Sequence, residues 1–174
     1  MGIYPTENED PPIKDRDIPI INSTTSASTL ANETEVGIFK MVNPLVGYKK
    51  VRCVCKTGLF SKMEIQAVAE LEIPKGATVV GPFGNWCRGS PPIHALAFRT
   101  DNVLVKRIYG LETTIQGSSV PTSCSCYSMY MKEFKYIAGK THRPEKPLDL
   151  NRYKEHASGI YFHLTKREAK KHGK

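Results

Sequence analysis

The chain has 174 residues, of which 40% are hydrophobic and 24% are charged. This length suits one domain with a tail and excludes a large multidomain enzyme. No apolar run approaches the roughly eighteen residues that a membrane-spanning helix needs, so we expect a soluble protein. The formal net charge of +8 favours acidic or polyanionic partners without naming one.

Residues 1–33 differ in composition from the rest of the chain. They contain two basic and six acidic residues, which leaves about +12 on residues 34–174. The segment also has four prolines, a Ser/Thr-rich run and no hydrophobic period that would bury a face. We therefore predict an extended or disordered acidic N-terminal arm over 1–33, which orders on a partner, and a β-rich domain over 34–174.

The first residues bear on location. They lack the basic region followed by an apolar region of a secretory signal, so we expect a cytoplasmic or virion protein that is not secreted. The sequence MGIYPT matches the N-myristoylation pattern, which makes Gly2 a candidate lipidation site, with a chance match as the alternative. A membrane partner is expected only if Gly2 is myristoylated, and one acyl chain anchors weakly.

From residue 35 onward, short β-rich runs alternate with turn signals. The runs at 35–42 and 48–55 predict one hairpin, and those at 67–73 and 78–80 predict a second around a Pro-Lys-Gly turn. Further strand candidates are found at 103–109, 124–131, 134–137 and 160–164.

The end of the chain carries a helix signal. Thr165 to Glu168 forms a capping box, in which the threonine and glutamate side chains satisfy free backbone amides, and this predicts a short C-terminal helix. The sequence as a whole predicts a mainly β (α+β) fold: a compact antiparallel β domain with a short C-terminal helix and an extended N-terminal arm.

Several motifs occur in an order that resembles one family. They are Gly47-Tyr48-Lys49, Ala69 to Pro74, Cys87-Arg88, Phe134-Lys135-Tyr136 with Gly139-Lys140, and RYKEHASGIYFHLTKREA at 152–169. From about residue 45 to the end, the chain resembles an uncharacterised domain of viruses, phages and some bacteria that often lies beside pentapeptide repeats. Where that family usually has a cysteine, this chain has His156. The resemblance implies a viral or phage accessory protein and no known reaction.

Four of the five cysteines form two Cys-x-Cys pairs, Cys53 with Cys55 and Cys124 with Cys126. On a strand this spacing points both sulfurs to one face, so two neighbouring strands could offer four thiolates to zinc. Structural zinc sites usually have a longer spacing and free cysteine is common in cores, so we favour buried reduced thiols. The odd cysteine count and the absent signal disfavour disulfides and favour a reducing compartment.

The closing strand at 160–164 places Tyr161 and His163 on one face and apolar residues on the other. We favour a solvated polar face, which is ordinary in antiparallel sheets, over a site that includes His156. The candidate contact residues across the chain are Tyr48, Lys49, Lys50, Arg88, Tyr161 and His163.

The expected function is that of a non-catalytic viral accessory or virion-associated protein, with other proteins as partners and no cofactor. Nucleic-acid binding is one alternative, because residues 132–174 carry twelve basic and five acidic residues interleaved with aromatics. A degenerate ADP-ribosyltransferase-like NAD-binding enzyme is another, because residues 159–162 and 47–49 resemble two signatures of that fold. That fold needs a later strand with a catalytic glutamate, for which the sequence after Leu164 leaves no room.

Overall fold

The computed structural model describes residues 31–35, 37–81, 97–111, 118–154 and 156–171, which form eleven strands and one helix. The strands are β1 (Ala31–Glu35), β2 (Ile38–Met41), β3 (Leu45–Lys56), β4 (Lys62–Ile73), β5 (Thr78–Val80), β6 (Phe98–Thr100), β7 (Val103–Gly110), β8 (Cys124–Ser128), β9 (Lys135–Tyr136), β10 (Thr141–His142) and β11 (Ile160–Phe162); the helix is α1 (Lys166–Lys171). The predicted mainly antiparallel β fold is confirmed. Within these ranges, no helix has the length and apolar character needed to cross a bilayer.

The strands form two antiparallel sheets. Sheet A has the order β1-β2-β5-β6-β11 and sheet B the order β10-β7-β4-β3-β8-β9. One apolar cluster draws residues from both sheets, and Phe98 and Phe162 stack within it with ring centroids 5.7 Å apart. Gly47 on β3 allows the sheets to approach, since a Cβ there would lie 2.5 Å from Phe162 Cδ2. The buried positions of Ile160 and Phe162 agree with the facing that alternation predicts.

The two predicted hairpins have the wrong pairing. β2 pairs with β1 and β5 in sheet A, whereas β3 pairs with β4 in sheet B, so β2 and β3 are not a hairpin. The same holds for β4 and β5, which lie in different sheets. Pro44 and Pro74 follow β2 and β4, and proline lacks the N–H that a ladder needs. At both prolines the chain crosses from one sheet to the other.

The cysteine prediction is corrected by the pairing of β3 with β8. Cys53 lies opposite Cys126 and Cys55 opposite Cys124, with Cα atoms 4.0 Å apart in each pair. The four sulfurs form two disulfides, Cys53–Cys126 and Cys55–Cys124, in place of reduced thiols or a zinc site. The spacing of each Cys-x-Cys pair is local, but the register that joins them depends on strands about 70 residues apart.

The sequence predicted the C-terminal helix of the domain better than the start of its first strand. β1 starts at Ala31, ahead of the predicted boundary, and pairs with β2. The rest of the predicted arm, including Gly2, lies outside the described residues. At the other end the predicted helix is present, with the Glu168 amide donating to Thr165 Oγ1 at 3.2 Å and Ala169 buried.

Candidate functional site: a cationic cleft around Lys49

The candidate site lies where β3 changes its neighbour. β8 pairs with β3 over residues 51–55. Farther along, Tyr48 bridges to His163 through two backbone hydrogen bonds of 2.8 Å, which joins β3 to the end of β11. Lys49 lies between these two partners, and its side chain shares the interior face of β3 with Val51. A cleft of about 510 Å³ opens at this junction.

The lining of the cleft combines positive charge with aromatic surface. Its described cations are Lys49, Arg99, Lys146, Arg152 and Lys154, and the one carboxylate among its described lining residues is that of Glu145. Its aromatic residues are Tyr130, Phe134, Tyr136 and Tyr161. Such a surface suits a ligand that has both a negative group and an apolar body.

Lys49 is one of two buried cations among the described residues of the cleft, the other being Arg99. Its side-chain nitrogen donates to the Tyr161 carbonyl oxygen at 3.1 Å and lies 5.8 Å from the centre of the Tyr136 ring. The residue is only 8% exposed, and no carboxylate among the described residues forms an ion pair with it. Burial lowers the pKa of Lys49 to about 8, so the group still carries its charge at neutral pH. Lys49 is therefore a buried cation whose charge an anion could balance.

Arg99 fixes the loop that forms one wall. From β6 its guanidinium donates to the carbonyl oxygens of Asp149, Asn151 and Ser158. Burial lowers the pKa of Arg99, but an arginine stays charged at any physiological pH. Because one side chain holds three carbonyls of the loop at 149–158, Arg99 acts as a positioning residue.

The same loop contains two further unusual features. Arg152 lines the cleft, and its Nε is buried without a hydrogen-bond acceptor among the described residues. His156 also lines the cleft and adopts a positive φ of 54°, which is uncommon outside glycine. The loop also holds an ion pair, in which Lys154 Nζ lies 3.1 Å from Asp149 Oδ2. The backbone hydrogen bond from Asn151, together with this ion pair, keeps the pKa of Asp149 below its usual value.

The structure brings some predicted contact residues together and separates others. Lys49, Tyr161 and His156 line one cleft. Tyr48 and His163 form the bridge behind it, and His163 is only 2% exposed, so a solvated face is wrong for this histidine. Lys50 is buried on the opposite side of β3. The remaining candidate, Arg88, lies outside the described residues.

Sequence reasoning did not name Arg99, Arg152 or Tyr136 as contact residues, although the last two lie in the family motifs that begin at Phe134 and Arg152. Arg99 did offer a signal, because it interrupts the apolar start of a short strand. Apart from its place in the family motif, Arg152 offered no signal, since an arginine in a polar loop is ordinary at a surface. The role of Tyr136 depends on β9 lying beside β8 at the edge of sheet B, which local sequence does not reveal.

The two segments that resemble ADP-ribosyltransferase signatures do meet, because the Tyr48–His163 bridge and the Lys49–Tyr161 hydrogen bond connect them. In the described part of the chain, β11 is followed by α1 and by no further strand that could carry a glutamate. Across the described ranges, no cluster of three or more His, Cys, Asp or Glu side chains could hold a metal ion.

Comparison with known proteins agrees with a viral family. An uncharacterised protein, L223, of Acanthamoeba polyphaga mimivirus is 31% identical over 144 residues, covering 76% of this chain and 86% of that protein. No solved structure matches. Residues 31–169, which contain the whole described cleft, match a family described as "Family of unknown function (DUF5758)", and the chain belongs to this family.

Proposed function

We propose that this protein is a non-catalytic, virion-associated accessory protein that binds an anionic ligand in the cleft around Lys49. The observation that carries the proposal is the burial of Lys49 without an opposing carboxylate among the described residues. A charge removed from water is costly unless it is paired, so the cleft favours a ligand that supplies the missing negative charge. The cleft volume of about 510 Å³ lies within the range of small-molecule sites.

The lining defines the ligand class. A carboxylate or phosphate that reaches Lys49 can accept its remaining N–H donors, and lysine is a frequent phosphate-binding residue. Phe134, Tyr136 and Tyr161 offer apolar surface to the rest of the molecule. Arg152, whose Nε has no acceptor among the described residues, supplies a further cation in the same cleft. The preferred ligand is therefore a small carboxylate or phosphate with an apolar or planar body.

The proposed location in the virion rests on two observations. The relative from mimivirus supports a viral origin. The disulfides Cys53–Cys126 and Cys55–Cys124 favour an oxidising setting such as a virion over a reducing cytosol. In this proposal the acidic residues 1–30 attach the domain to a partner protein of the assembly, as their composition predicts.

A second candidate function is NAD binding by a degenerate ADP-ribosyltransferase-like cleft. One observation favours it, namely the contact of residues 47–49 with β11 beside the cleft. NAD carries phosphates and planar rings, so it falls within the proposed ligand class and belongs among the compounds tested.

The proposal is tested by thermal shift and calorimetry of the full chain with inorganic phosphate, nucleoside monophosphates, NAD and aromatic carboxylates. A ligand should raise the melting temperature of the wild type, because binding to the folded state alone stabilises it. Lys49→Met should abolish this shift, whereas Lys140→Gln, which removes an exposed lysine, should retain it. If no compound binds, or if binding survives Lys49→Met, the cleft does not have the proposed role.

A further inference from the structure

The hairpin formed by β3 and β4 projects beyond the strands described on either side of it. β8 pairs with β3 only as far as Cys55, and β7 pairs with β4 only from Ala67 onward. Every residue from 56 to 64 is exposed, and the Thr57 amide closes the turn by donating to the Ser61 carbonyl oxygen at 3.0 Å. Residues 56–64, called the hairpin tip below, therefore form an ordered protrusion at one end of sheet B.

The hairpin tip ends in two large apolar side chains. Leu59 is 92% exposed and Phe60 is 93% exposed, more than any other large hydrophobic residue described. Such exposure excludes a role for either side chain in the apolar core. Adjacent leucine and phenylalanine at the end of a protrusion form an exposed apolar patch, and such patches mark sites of contact with a protein or a membrane.

Two lysines flank this apolar end. Lys56 and Lys62 lie directly opposite each other in the β3–β4 ladder, and like charges at such positions repel. Neither lysine forms an ion pair or a side-chain hydrogen bond with any described residue. The nearby carboxylate of Glu64 is engaged by Arg52 at 3.4 Å. The hairpin tip thus carries two unbalanced positive charges directly behind two exposed apolar side chains.

We propose that the hairpin tip docks on an anionic lipid bilayer. Leu59 and Phe60 enter the boundary between headgroups and acyl chains, and Lys56 and Lys62 contact the negatively charged headgroups. This order of groups along the protrusion, apolar first and basic behind, matches the order of layers in a bilayer surface. Nucleic acid would also attract the lysines and stack on Phe60, but the exposed aliphatic Leu59 gains nothing from base stacking.

The test is co-flotation of the full chain, produced without N-myristoylation, with lipid vesicles. Vesicles of phosphatidylcholine mixed with phosphatidylserine should bind the protein, and vesicles of phosphatidylcholine alone should not. Leu59→Ser/Phe60→Ser should lower the partition coefficient by at least roughly tenfold. Lys56→Gln/Lys62→Gln should lower it by roughly thirtyfold, since each basic residue near an anionic surface contributes about 1 kcal/mol.

The matched controls are Val46→Thr for the apolar pair and Lys75→Gln/Lys140→Gln for the lysines. All three control residues are exposed and lie outside the hairpin tip.

Controls that bind vesicles like the wild type, beside tip variants that do not, would support the proposal. Absence of binding to phosphatidylserine vesicles, or equal binding by tip and control variants, would overturn it. Loss of DNA or RNA binding in the tip variants, with vesicle binding intact, would assign the tip to nucleic acid instead. Thermal melts of each variant ensure that folded proteins are compared.

Discussion

The side-chain nitrogen of Lys49 donates a hydrogen bond to the main-chain carbonyl oxygen of Tyr161 at 3.1 Å, across 112 residues of sequence. This bond connects β3 of sheet B with β11 of sheet A at the inner wall of the cleft. An ammonium group has three N–H donors, and the structure gives Lys49 no second acceptor among the described residues. Among the described residues, none neutralises this cation, which is the basis of the ligand proposal.

Lys49 should make stability depend on pH in a defined window. Its pKa is lowered from 10.5 to about 8, so between these values the unfolded chain holds more protons than the folded one. The free energy of unfolding therefore gains a contribution that rises with pH across that window, while below pH 8 the burial penalty is fully present. Lys49→Met lacks this contribution. Its stability relative to wild type should fall by roughly 3 kcal/mol from pH 7 to pH 10.5.

Urea denaturation of wild type and Lys49→Met across this pH range measures the difference. Lys140→Gln serves as the control, because Lys140 is exposed and its replacement should give a stability difference that is flat with pH. A flat difference for Lys49→Met as well would mean that the ammonium group of Lys49 is solvated and is not a buried charge.

Arg99 should keep the cleft-wall loop at 149–158 ordered. Arg99→Met keeps an unbranched aliphatic stem but removes the guanidinium, which leaves the carbonyls of Asp149, Asn151 and Ser158 without their donor. Loss of a buried hydrogen-bonded charge costs roughly 2–4 kcal/mol, and faster hydrogen exchange should appear at the loop before the rest of the domain. The exposed Arg143 supplies the control Arg143→Met, for which no change in exchange is expected. Uniform exchange in both variants would show that Arg99 does not position the loop.

Local sequence patterns predicted the strands and the helix better than they predicted which strands pair. The capping box at Thr165 specified α1, and alternation placed Ile160 and Phe162 in the core, because both signals act over a few residues. Pro44 and Pro74 marked real breaks, but a break does not state whether the chain turns back or crosses to another sheet. Pairing is decided by contacts that are distant in sequence.

The site could be predicted only in part for the same reason. Gly47-Tyr48-Lys49 and the Gly159 to Phe162 segment were recognised by their sequence, and the structure places both at the cleft junction. The burial of His163 follows from its bridge to Tyr48, a non-local contact. The partners of Arg99 are backbone carbonyls 50 to 59 residues away, which carry no side-chain signature.

The contributions of the two disulfides to the free energy of unfolding should be non-additive. Cys53–Cys126 and Cys55–Cys124 have sequence separations of 73 and 69, and the second loop lies inside the first. Closing either loop lowers the entropy of the unfolded chain and so stabilises the fold by roughly 4 kcal/mol. The second bond then adds little, because its ends are already held together. Removing one pair by serine substitution should therefore cost much less than half of what removing both costs. Denaturant unfolding of the two pairwise variants and the quadruple variant measures this. Equal and additive losses would contradict the nested-loop explanation.

The N-terminal segment should divide at Ala31 into a part that attaches and a part that folds. β1 pairs with β2 from Ala31 to Glu35, so removing residues 1–30 keeps this ladder whereas removing residues 1–35 exposes the edge of β2. We expect the shorter deletion to shift the melting temperature by no more than about 2 °C, and the longer one to lower it by roughly 5 °C or more, because cross-strand pairs are lost.

Differential scanning calorimetry of both truncations checks this division, and capture of assembly proteins by the full chain and by residues 31–174 checks the attachment role. Loss of capture in the shorter deletion, with stability unchanged, would support the arm as the attachment element. Residues 1–30 have too few apolar groups to offset their own ordering cost, so they are expected to order only on a partner. A large loss of stability in the shorter deletion would instead make residues before Ala31 part of the folded domain. Unchanged capture would leave the basic domain to make the contact, and a steep loss of that contact with rising salt would then point to a polyanionic partner.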